Sequence, residues 1–256
     1  MSKGGKRMHL NTEGIVLREV EYNDADKLLD LLTKDRGLIT VKARGVRRSS
    51  STLKSACQLL AYAEFTLFEY KDRFTVNEAQ PIEQFRELRE DIELLSLGSY
   101  FAQATAMVAQ EDAPNPQLLS LLLNALYALA KLKKPQALVK AAFELRLACL
   151  AGFAPDLSGC VVCGNDAPDR FLLSQGELQC AGCIGQNEEG IRLPVSPGVL
   201  GAMRYIVWCE AKKLYSFRLD QEDLRSLGSI TESYLMTQLE HSFSTLDFYK
   251  SLQAFS

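Results

Sequence analysis

The sequence predicts an α+β protein of several domains: a small N-terminal β-barrel, then an α-helical domain with a four-cysteine module inserted in it. Three observations predict this architecture. Short runs of alternating apolar and polar residues fill the first 80 residues, apolar residues recur at helical spacing from Phe85 onward, and two Cys-x₂-Cys pairs follow the first group of helices.

Five strands are predicted in the N-terminal region, and all are short. They lie at residues 13–20, 27–33, 38–46, 63–70 and 74–79. Turns are expected at Asp35–Gly37 and Lys71–Arg73, a short helix between Thr52 and Leu60, and the end of the β region at Pro81. Five strands with one helix fit a closed barrel of the OB type, although SH3-like barrels give a similar pattern.

Helices dominate the rest of the chain. They are predicted at residues 85–110 with an interruption at Gly98, and at 116–132, 135–150, 197–210 and 221–243. Ser196 and Asp220 are the expected N-caps of the last two helices, because their side chains accept hydrogen bonds from the first turn. The residues that recur at helical spacing along one face of each helix are almost entirely apolar, which indicates core packing in a helical bundle.

Four cysteines predict a structural metal site. They are Cys160, Cys163, Cys180 and Cys183. Two such pairs separated by 16 residues let two tight turns present four thiolates to one tetrahedral ion. Zinc is expected, one ion per chain, because it accepts four sulfur ligands without redox chemistry, and four cysteines leave no position for a catalytic water. Two redox dithiols or two disulfides are the alternative interpretation.

The predicted domains follow from these elements. Residues 1–80 form the OB-type barrel, 81–156 the first part of the helical domain, 157–187 the zinc module and 188–256 the second part of the helical domain. The other cysteines, Cys57, Cys149 and Cys209, lie in apolar surroundings and are expected to be buried, inert thiols. An odd number of cysteines and no apolar run of about 20 residues predict a cytoplasmic protein without a membrane span.

Positive charge is concentrated in one part of the barrel. The net charge is −3, yet seven cations between Lys34 and Lys54 face a single carboxylate, Asp35. A local cationic surface on a mildly acidic protein indicates a polyanion bound at one place, although a charge run is more often only a solvated face. Arginine's forked donors suit phosphate oxygens. The candidate phosphate contacts are Lys42, Arg44, Arg47, Arg48 and Lys54.

Aromatic residues in the same region offer faces on which bases could stack, although on barrel strands they more often belong to the core. They are Tyr22, Phe65, Phe68, Tyr70 and Phe74. Enzymatic motifs are scarce by comparison. His9 and His241 are the only histidines, and neither a phosphate-binding Gly-x₄-Gly-Lys loop nor a nucleophile Gly-x-Ser-x-Gly motif is present. We therefore expect no enzymatic activity, and an enzyme with a site split between domains is a weaker hypothesis.

Four stretches of the sequence carry a family resemblance. Residues 12–17, 22–27 and 37–48 resemble the successive N-terminal signatures of the RecO recombination-mediator proteins of bacteria, and residues 145–155, directly before the cysteines, are similar to the family's central block. The resemblance covers nearly the whole chain in the same order. The run at residues 1–9 departs from it, since it is longer and more basic than the usual start and could add phosphate contacts.

The resemblance implies a DNA-binding recombination mediator of DNA repair that works without ATP in the RecF pathway. It implies binding to single-stranded and double-stranded DNA, annealing of strands coated by single-strand-binding protein (SSB), contact with the SSB C-terminal tail, and help to RecR in loading RecA. It also implies association with the nucleoid. From the residues alone, a zinc-stabilised RNA- or DNA-binding scaffold of transcription or translation remains the alternative, because a 2′-OH contact leaves no signature in a sequence.

Overall fold

The structure, a computed structural model, describes residues 8–185 and 189–254. Its contacts divide the chain into two compact units: Met1–Leu126 with Phe243–Ser256, and Tyr127–Ser242. Residues 1–7 of the basic N-terminal run and residues 186–187 of the predicted zinc module lie outside the described residues.

Five strands close into a barrel in the first unit. The barrel order is β1-β2-β3-β5-β4, and β4 pairs with β1. Neighbours are antiparallel except at a short parallel seam between β3 and β5, where Val41 pairs with Phe74 and Lys42 with Thr75. The closed barrel confirms the predicted OB-type domain. The strands are β1 (Met8–Tyr22), β2 (Asp26–Thr33), β3 (Gly37–Ala43), β4 (Tyr62–Tyr70) and β5 (Arg73–Glu83).

Alternation along the strands fills the barrel. One side of each strand supplies buried apolar residues, among them Val16, Leu29, Val41, Phe65 and Val76. The β4–β5 turn consists of Lys71 and Asp72, and both have positive φ, 49° and 57°. A two-residue turn with that backbone matches the twist of the flanking strands, so the predicted hairpin forms there.

The prediction of a helix between Thr52 and Leu60 is wrong. This segment is a series of turns, and it packs Ala56 into the barrel core. The backbone N–H of Leu60 donates to the carbonyl of Val16 at 2.9 Å, and the N–H of Val16 donates to the carbonyl of Ala61 at 3.1 Å. Strand β1 thus takes the N–H of Leu60, which a helix would have paired with the carbonyl of Ala56.

Pro81 does not end the β region, because β5 continues to Glu83 and pairs Pro81 with Ala63 of β4. On its other side β5 pairs with β3 only at Phe74 and Thr75. The second half of β5 is therefore an edge, where a proline costs no ladder hydrogen bond.

The helices of the first unit begin differently from the prediction. The break predicted at Gly98 falls instead at Glu90 and Asp91, and the Asp91 side chain caps α2 by accepting from the N–H groups of Glu93 and Leu94. Gly98 lies inside α2, where an added Cβ would stand 2.8 Å from Leu60 Cδ1, so the glycine allows close packing. The helices are α1 (Arg86–Arg89), α2 (Ile92–Val108), α3 (Pro116–Ala130), which runs into the second unit, and, near the C-terminus, α7 (Ser244–Gln253).

Three long helices and a small sheet make up most of the second unit. Ser196 and Asp220 cap α5 and α6 as predicted, accepting from the N–H groups of Val199 and Asp223. Helix α6 ends four residues before the predicted Phe243 because Glu240 is left-handed, with φ of 50°. The elements are α4 (Gln136–Leu150), β6 (Arg170–Leu172), β7 (Glu177–Gln179), β8 (Arg192–Pro194), α5 (Pro197–Trp208) and α6 (Gln221–Leu239).

Helices α4 and α6 pack around a buried charge network. Lys140 Nζ lies 2.8 Å from Glu144 Oε1 and 2.7 Å from Glu232 Oε2, and the Thr231 hydroxyl donates to Glu144 Oε2 at 3.0 Å. A buried charge needs such partners, because desolvation would otherwise be costly. None of the helices in the described parts of the chain is both long and apolar enough to cross a membrane.

Candidate metal centre and nucleic-acid interface

The four predicted cysteines converge on one point. The sulfur atoms of Cys160, Cys163, Cys180 and Cys183 all lie within 4.8 Å of one another, and those of Cys163 and Cys180 are 3.9 Å apart. A tetrahedral zinc ion with Zn–S bonds of about 2.3 Å requires sulfur separations of about 3.8 Å. All four are free thiols, so neither pair forms a disulfide. The group can hold one metal ion.

The loop of the first pair is built on local hydrogen bonds. The N–H of Gly164 donates to the carbonyl of Cys160 at 2.8 Å, and the N–H of Cys160 donates to the carbonyl of Asn165 at 2.7 Å. Gly164 has φ of +73°, which glycine adopts without strain. A Cβ on Gly159 would stand 2.9 Å from the Asn165 carbonyl oxygen. The sequence around the first pair is therefore suited to a tight metal-binding loop.

The second pair lies on a short 3₁₀ turn, Ala181–Cys183, that follows β7. The side-chain amide of Asn165 donates to Cys180 Sγ at 3.2 Å, and the N–H of Cys180 donates to Cys160 Sγ at 3.3 Å. Asp169 accepts from the N–H of Ala181 at 2.7 Å and holds the turn. Donors that point at sulfur stabilise thiolates, the form that binds a metal.

The ionisation of the thiols also favours a cation at this point. Hydrogen bonding from the N–H of Cys163 lowers the pKa of the Cys160 thiol to about 6. The hydrogen bond to Cys163 and the nearby sulfur charges raise the pKa of Cys183 to about 12. Four sulfurs this close cannot all ionise without positive charge between them. A divalent ion supplies that charge, and an all-sulfur donor set in a tetrahedral arrangement suits zinc.

The other three cysteines lie apart from this centre. Burial raises the pKa of Cys57 to about 12 and that of Cys149 to about 11. Cys209 is half-buried and accepts a hydrogen bond from Arg146 at 3.3 Å. Burial also raises the pKa of Cys209, so none of the three offers much thiolate at neutral pH.

A groove of about 920 Å³ runs over the β3–β5 seam of the barrel. Charged and aromatic side chains line it from both sides, and Lys42 and Thr75 are register partners within it. Its lining includes Tyr22, Thr40, Lys42, Arg44, Tyr70, Asp72, Arg73, Thr75 and Asn77. A groove lined by these residue types can accept phosphates and bases together.

The five predicted phosphate contacts divide into two groups. Lys42 and Arg44 line the groove, whereas Arg47, Arg48 and Lys54 are exposed outside its lining. Arg47 is held on the barrel surface, with Nη2 3.0 Å from Glu21 Oε2 and Nη1 donating to the Asn23 carbonyl at 3.2 Å. Among the described residues, Arg44, Arg48 and Lys54 form no ion pair and are free to meet an anion.

Lys42 is positioned by its neighbours. Its ammonium lies 2.9 Å from Asp26 Oδ2 and 4.7 Å from the centre of the Tyr22 ring. The N–H of Gly45 donates to Asp26 Oδ1 at 2.8 Å, and this bond, followed by Lys42, lowers the pKa of Asp26. Asp26 therefore stays ionised and offsets part of the charge of Lys42, with which it forms an ion pair, and more weakly that of Arg44, which contributes last to the Asp26 pKa shift and forms no ion pair in the described chain.

Sequence reasoning missed Arg73 as a site residue. It opens β5 on the far side of the seam, is exposed, and has no ion-pair partner in the described chain. The signal was the hairpin turn itself, where Lys71 and Arg73 flank Asp72 directly after Tyr70. That turn lies outside the cation-rich segment from Lys34 to Lys54. Only the β3–β5 pairing brings Arg73 into the same groove as Lys42.

The aromatic candidates also separate. Tyr22 and Tyr70 are 44% and 40% exposed and line the groove. Each ring has a lysine ammonium near its centre, Lys42 at 4.7 Å from Tyr22 and Lys71 at 5.3 Å from Tyr70, so aromatic surface and positive charge lie together there. Phe65 and Phe74 are buried in the barrel core and hold the strands together. Phe68 is half-buried beside His9.

Fold and sites together define a class of protein: an OB-type barrel with a cationic, aromatic groove, joined to helices that carry a four-thiol metal module. Comparison with known sequences agrees with this class. The family profile described as "Recombination protein O N terminal" matches residues 8–85, and that described as "Recombination protein O C terminal" matches residues 89–247. The chain belongs to the RecO family.

Individual relatives resemble the chain over nearly its full length. A protein named "DNA repair protein RecO" from Acetivibrio thermocellus is 36% identical over 246 residues, which are 95% of this chain and 97% of the relative. Proteins of the same name from Alkaliphilus metalliredigens and Caldicellulosiruptor bescii are each 31% identical, over 96% and 95% of this chain and 100% and 99% of their own lengths.

Proposed function

We propose that this protein acts in DNA repair and recombination by binding single-stranded DNA in the groove of its barrel. The observation that carries the proposal is the groove itself, where the free cations Arg44 and Arg73 lie with the exposed rings of Tyr22 and Tyr70. Cations that follow the phosphate backbone, combined with aromatic faces for the bases, bind single strands with little sequence preference.

We further infer that the protein brings complementary strands together without ATP. Contacts to phosphates leave the hydrogen-bonding edges of the bases free to pair, and neutralisation lowers the repulsion between two polyanions. Membership of a family whose relatives are named as DNA repair proteins supports this role. In this proposal the strands are coated by SSB, and the helices hold the SSB C-terminal tail.

The proposal includes further partners. With RecR the protein helps to load RecA onto single-stranded DNA, and it also binds double-stranded DNA, which associates it with the nucleoid. One zinc ion, held by Cys160, Cys163, Cys180 and Cys183, stabilises the second unit and takes no part in chemistry, since its four ligands leave no open position.

One experiment tests the binding and annealing roles together. Fluorescence anisotropy with labelled single-stranded DNA and RNA of the same sequence, at two salt concentrations, measures affinity and the number of phosphate contacts. Duplex formation from SSB-coated complementary DNA strands then measures annealing. We expect DNA binding that weakens steeply with salt, and faster annealing than with SSB alone. Binding to RNA only, or no acceleration of annealing, would refute the proposal.

A further inference from the structure

Trp208, the only tryptophan in the chain, ends helix α5 with 62% of its surface exposed. Tryptophan offers the largest aromatic surface of any side chain, and that surface usually stabilises a core. A single exposed apolar residue is common on protein surfaces and needs no explanation by itself. Two further features distinguish Trp208: the way its backbone is held and the charges in the segment that follows it.

The backbone around Trp208 is fixed by side chains of the same unit. Arg146 donates to the carbonyls of Ile206 and Cys209, on either side of the tryptophan. The Tyr205 hydroxyl donates to the carbonyl of Lys213 at 2.7 Å, which ties the following loop to the helix end. Leu214 and Tyr215 of that loop are buried and anchor it to the unit. The backbone that carries the indole is thus fixed, so binding a ligand here does not have to order the chain around it.

Cations outnumber carboxylates in the chain segment that follows the exposed indole. Between Trp208 and Arg218 the chain carries Lys212, Lys213 and Arg218 against one carboxylate, Glu210. Glu210 pairs with Lys213 at 3.8 Å. This leaves Lys212 and Arg218 exposed, and neither has an ion-pair partner in the part of the chain that the structure describes.

Ring packing holds the segment that carries Arg218 against helix α5. The rings of Tyr205 and Phe217 lie 5.7 Å apart, and Phe217 directly precedes Arg218. Tyr205 is three residues before Trp208 on the same helix, so the two share a face. The next carboxylate along the chain, Asp220, is engaged as the N-cap of α6. From Trp208 to Asp220 the chain therefore carries three cations against two carboxylates.

We propose that Trp208, with Lys212 and Arg218, forms a second contact for single-stranded nucleic acid, separate in the chain from the barrel groove. A base stacks on the indole, and the two cations contact the flanking phosphates. The inference deepens the proposed function and rests on it, because the ligand is the same. A positive surface with one large ring favours a polyanion that itself carries planar groups, and single-stranded nucleic acid combines both.

The single tryptophan makes the test direct, because all indole emission comes from Trp208. The zinc-loaded full chain is titrated with unlabelled oligothymidine while its emission is followed, and anisotropy of labelled oligothymidine measures binding in parallel. We expect quenching that saturates together with the anisotropy. Trp208→Ala should weaken binding about fivefold or more, the lower limit for one base–aromatic stack, while Trp208→Phe keeps most of the affinity.

Matched variants separate stacking from charge and from general surface effects. Phe248→Ala, which removes another exposed aromatic ring, 51% exposed on α7, should leave affinity unchanged. Replacing Lys212 and Arg218 by glutamine should lower the slope of log affinity against log salt by about 1.4, or about 0.7 for each lost phosphate contact.

Each remaining outcome has a definite meaning. Unchanged emission at saturating oligothymidine, or full affinity of Trp208→Ala, overturns the inference. If replacing Arg44 and Arg73 then abolishes binding, the proposed function still stands. No binding by the wild-type chain refutes both. Emission that responds to an acidic, aromatic-ended peptide but not to oligothymidine would identify this surface as a peptide site and also overturn the inference.

Discussion

Arg204 on helix α5 donates to the carbonyl of Asp166, 2.7 Å away, in the loop that follows the first cysteine pair. Its guanidinium also donates to the carbonyls of Leu157 at 2.8 Å and Ser158 at 3.2 Å. One side chain thus holds both ends of the loop that contains Cys160 and Cys163. The metal centre and the helices of the second unit are coupled through this arginine.

Replacing Arg204 by alanine should therefore weaken both the fold and metal retention. Loss of hydrogen bonds from a charged donor to three carbonyls should lower the free energy of unfolding by about 2–4 kcal/mol. Urea denaturation and the rate of zinc release to a colorimetric chelator measure the two effects. Arg225→Ala removes an exposed arginine of the neighbouring helix α6 and is the control. Equal zinc release from both variants would contradict the coupling.

Cys163→Ser should abolish zinc binding and unfold the region around residues 159–185. Structural zinc contributes on the order of 10 kcal/mol in small modules, so the loss should be severe locally. Elemental analysis should give about one zinc per wild-type chain and none in the variant, and Cys149→Ala should retain the metal. Wild-type protein purified without chelator and free of zinc would show that the four thiols have another role.

Two double variants distinguish the groove from the neighbouring basic surface. Replacing Arg44 and Arg73 by glutamine should weaken single-strand binding for all sequences and lower the salt slope by about 1.4. Replacing Arg47 and Arg48 should have a smaller effect, because Arg47 is already engaged by Glu21. Anisotropy titrations across a range of salt concentrations give both slopes. A larger loss from the second pair would move the binding surface away from the groove.

Lys140→Met should destabilise the second unit by about 3–5 kcal/mol, because it leaves Glu144 and Glu232 without their shared cation. Adding Glu144→Gln and Glu232→Gln should recover much of the loss, whereas Lys54→Met, at an exposed site, should cost little. Denaturation curves of the four proteins measure this. No recovery in the triple variant would show that the loss does not come from the unpaired carboxylates.

The same network predicts a pH dependence. Burial by itself lowers the pKa of Lys140, but Glu144 and Glu232 outweigh it and the net shift is upward. The contribution of the charged lysine is therefore complete below about pH 10.4, the ordinary lysine value, and is lost as pH rises through the higher pKa of the folded state. Unfolding measured from pH 8 upward should show this loss in the wild type and not in Lys140→Met.

Local patterns in the sequence predicted the parts of the structure that depend on local chemistry. Alternation identified the barrel strands, the cap residues Ser196 and Asp220 identified two helix starts, and cysteine spacing identified four thiols that lie close enough to hold one metal ion. The turns at Thr52–Leu60 were missed because the segment ends on a long-range bond, from the N–H of Leu60 to the carbonyl of Val16 in β1, that no local pattern records. Strands β6–β8 have three residues each, too few to show a period. Arg73 joins the site only through strand pairing across the barrel, which no local pattern records.

The short seam between β3 and β5 affects how the barrel can move. The β1–β4 ladder extends from Met8 opposite Glu69 to Ile15 opposite Tyr62, whereas the seam has two residue pairs. Opening the seam breaks few hydrogen bonds, at about 1 kcal/mol each, so its amides should exchange with solvent sooner than those of β1 and β4. Because the groove lies over this seam, we expect its width to adapt to bases of different size while the other four strand interfaces stay intact.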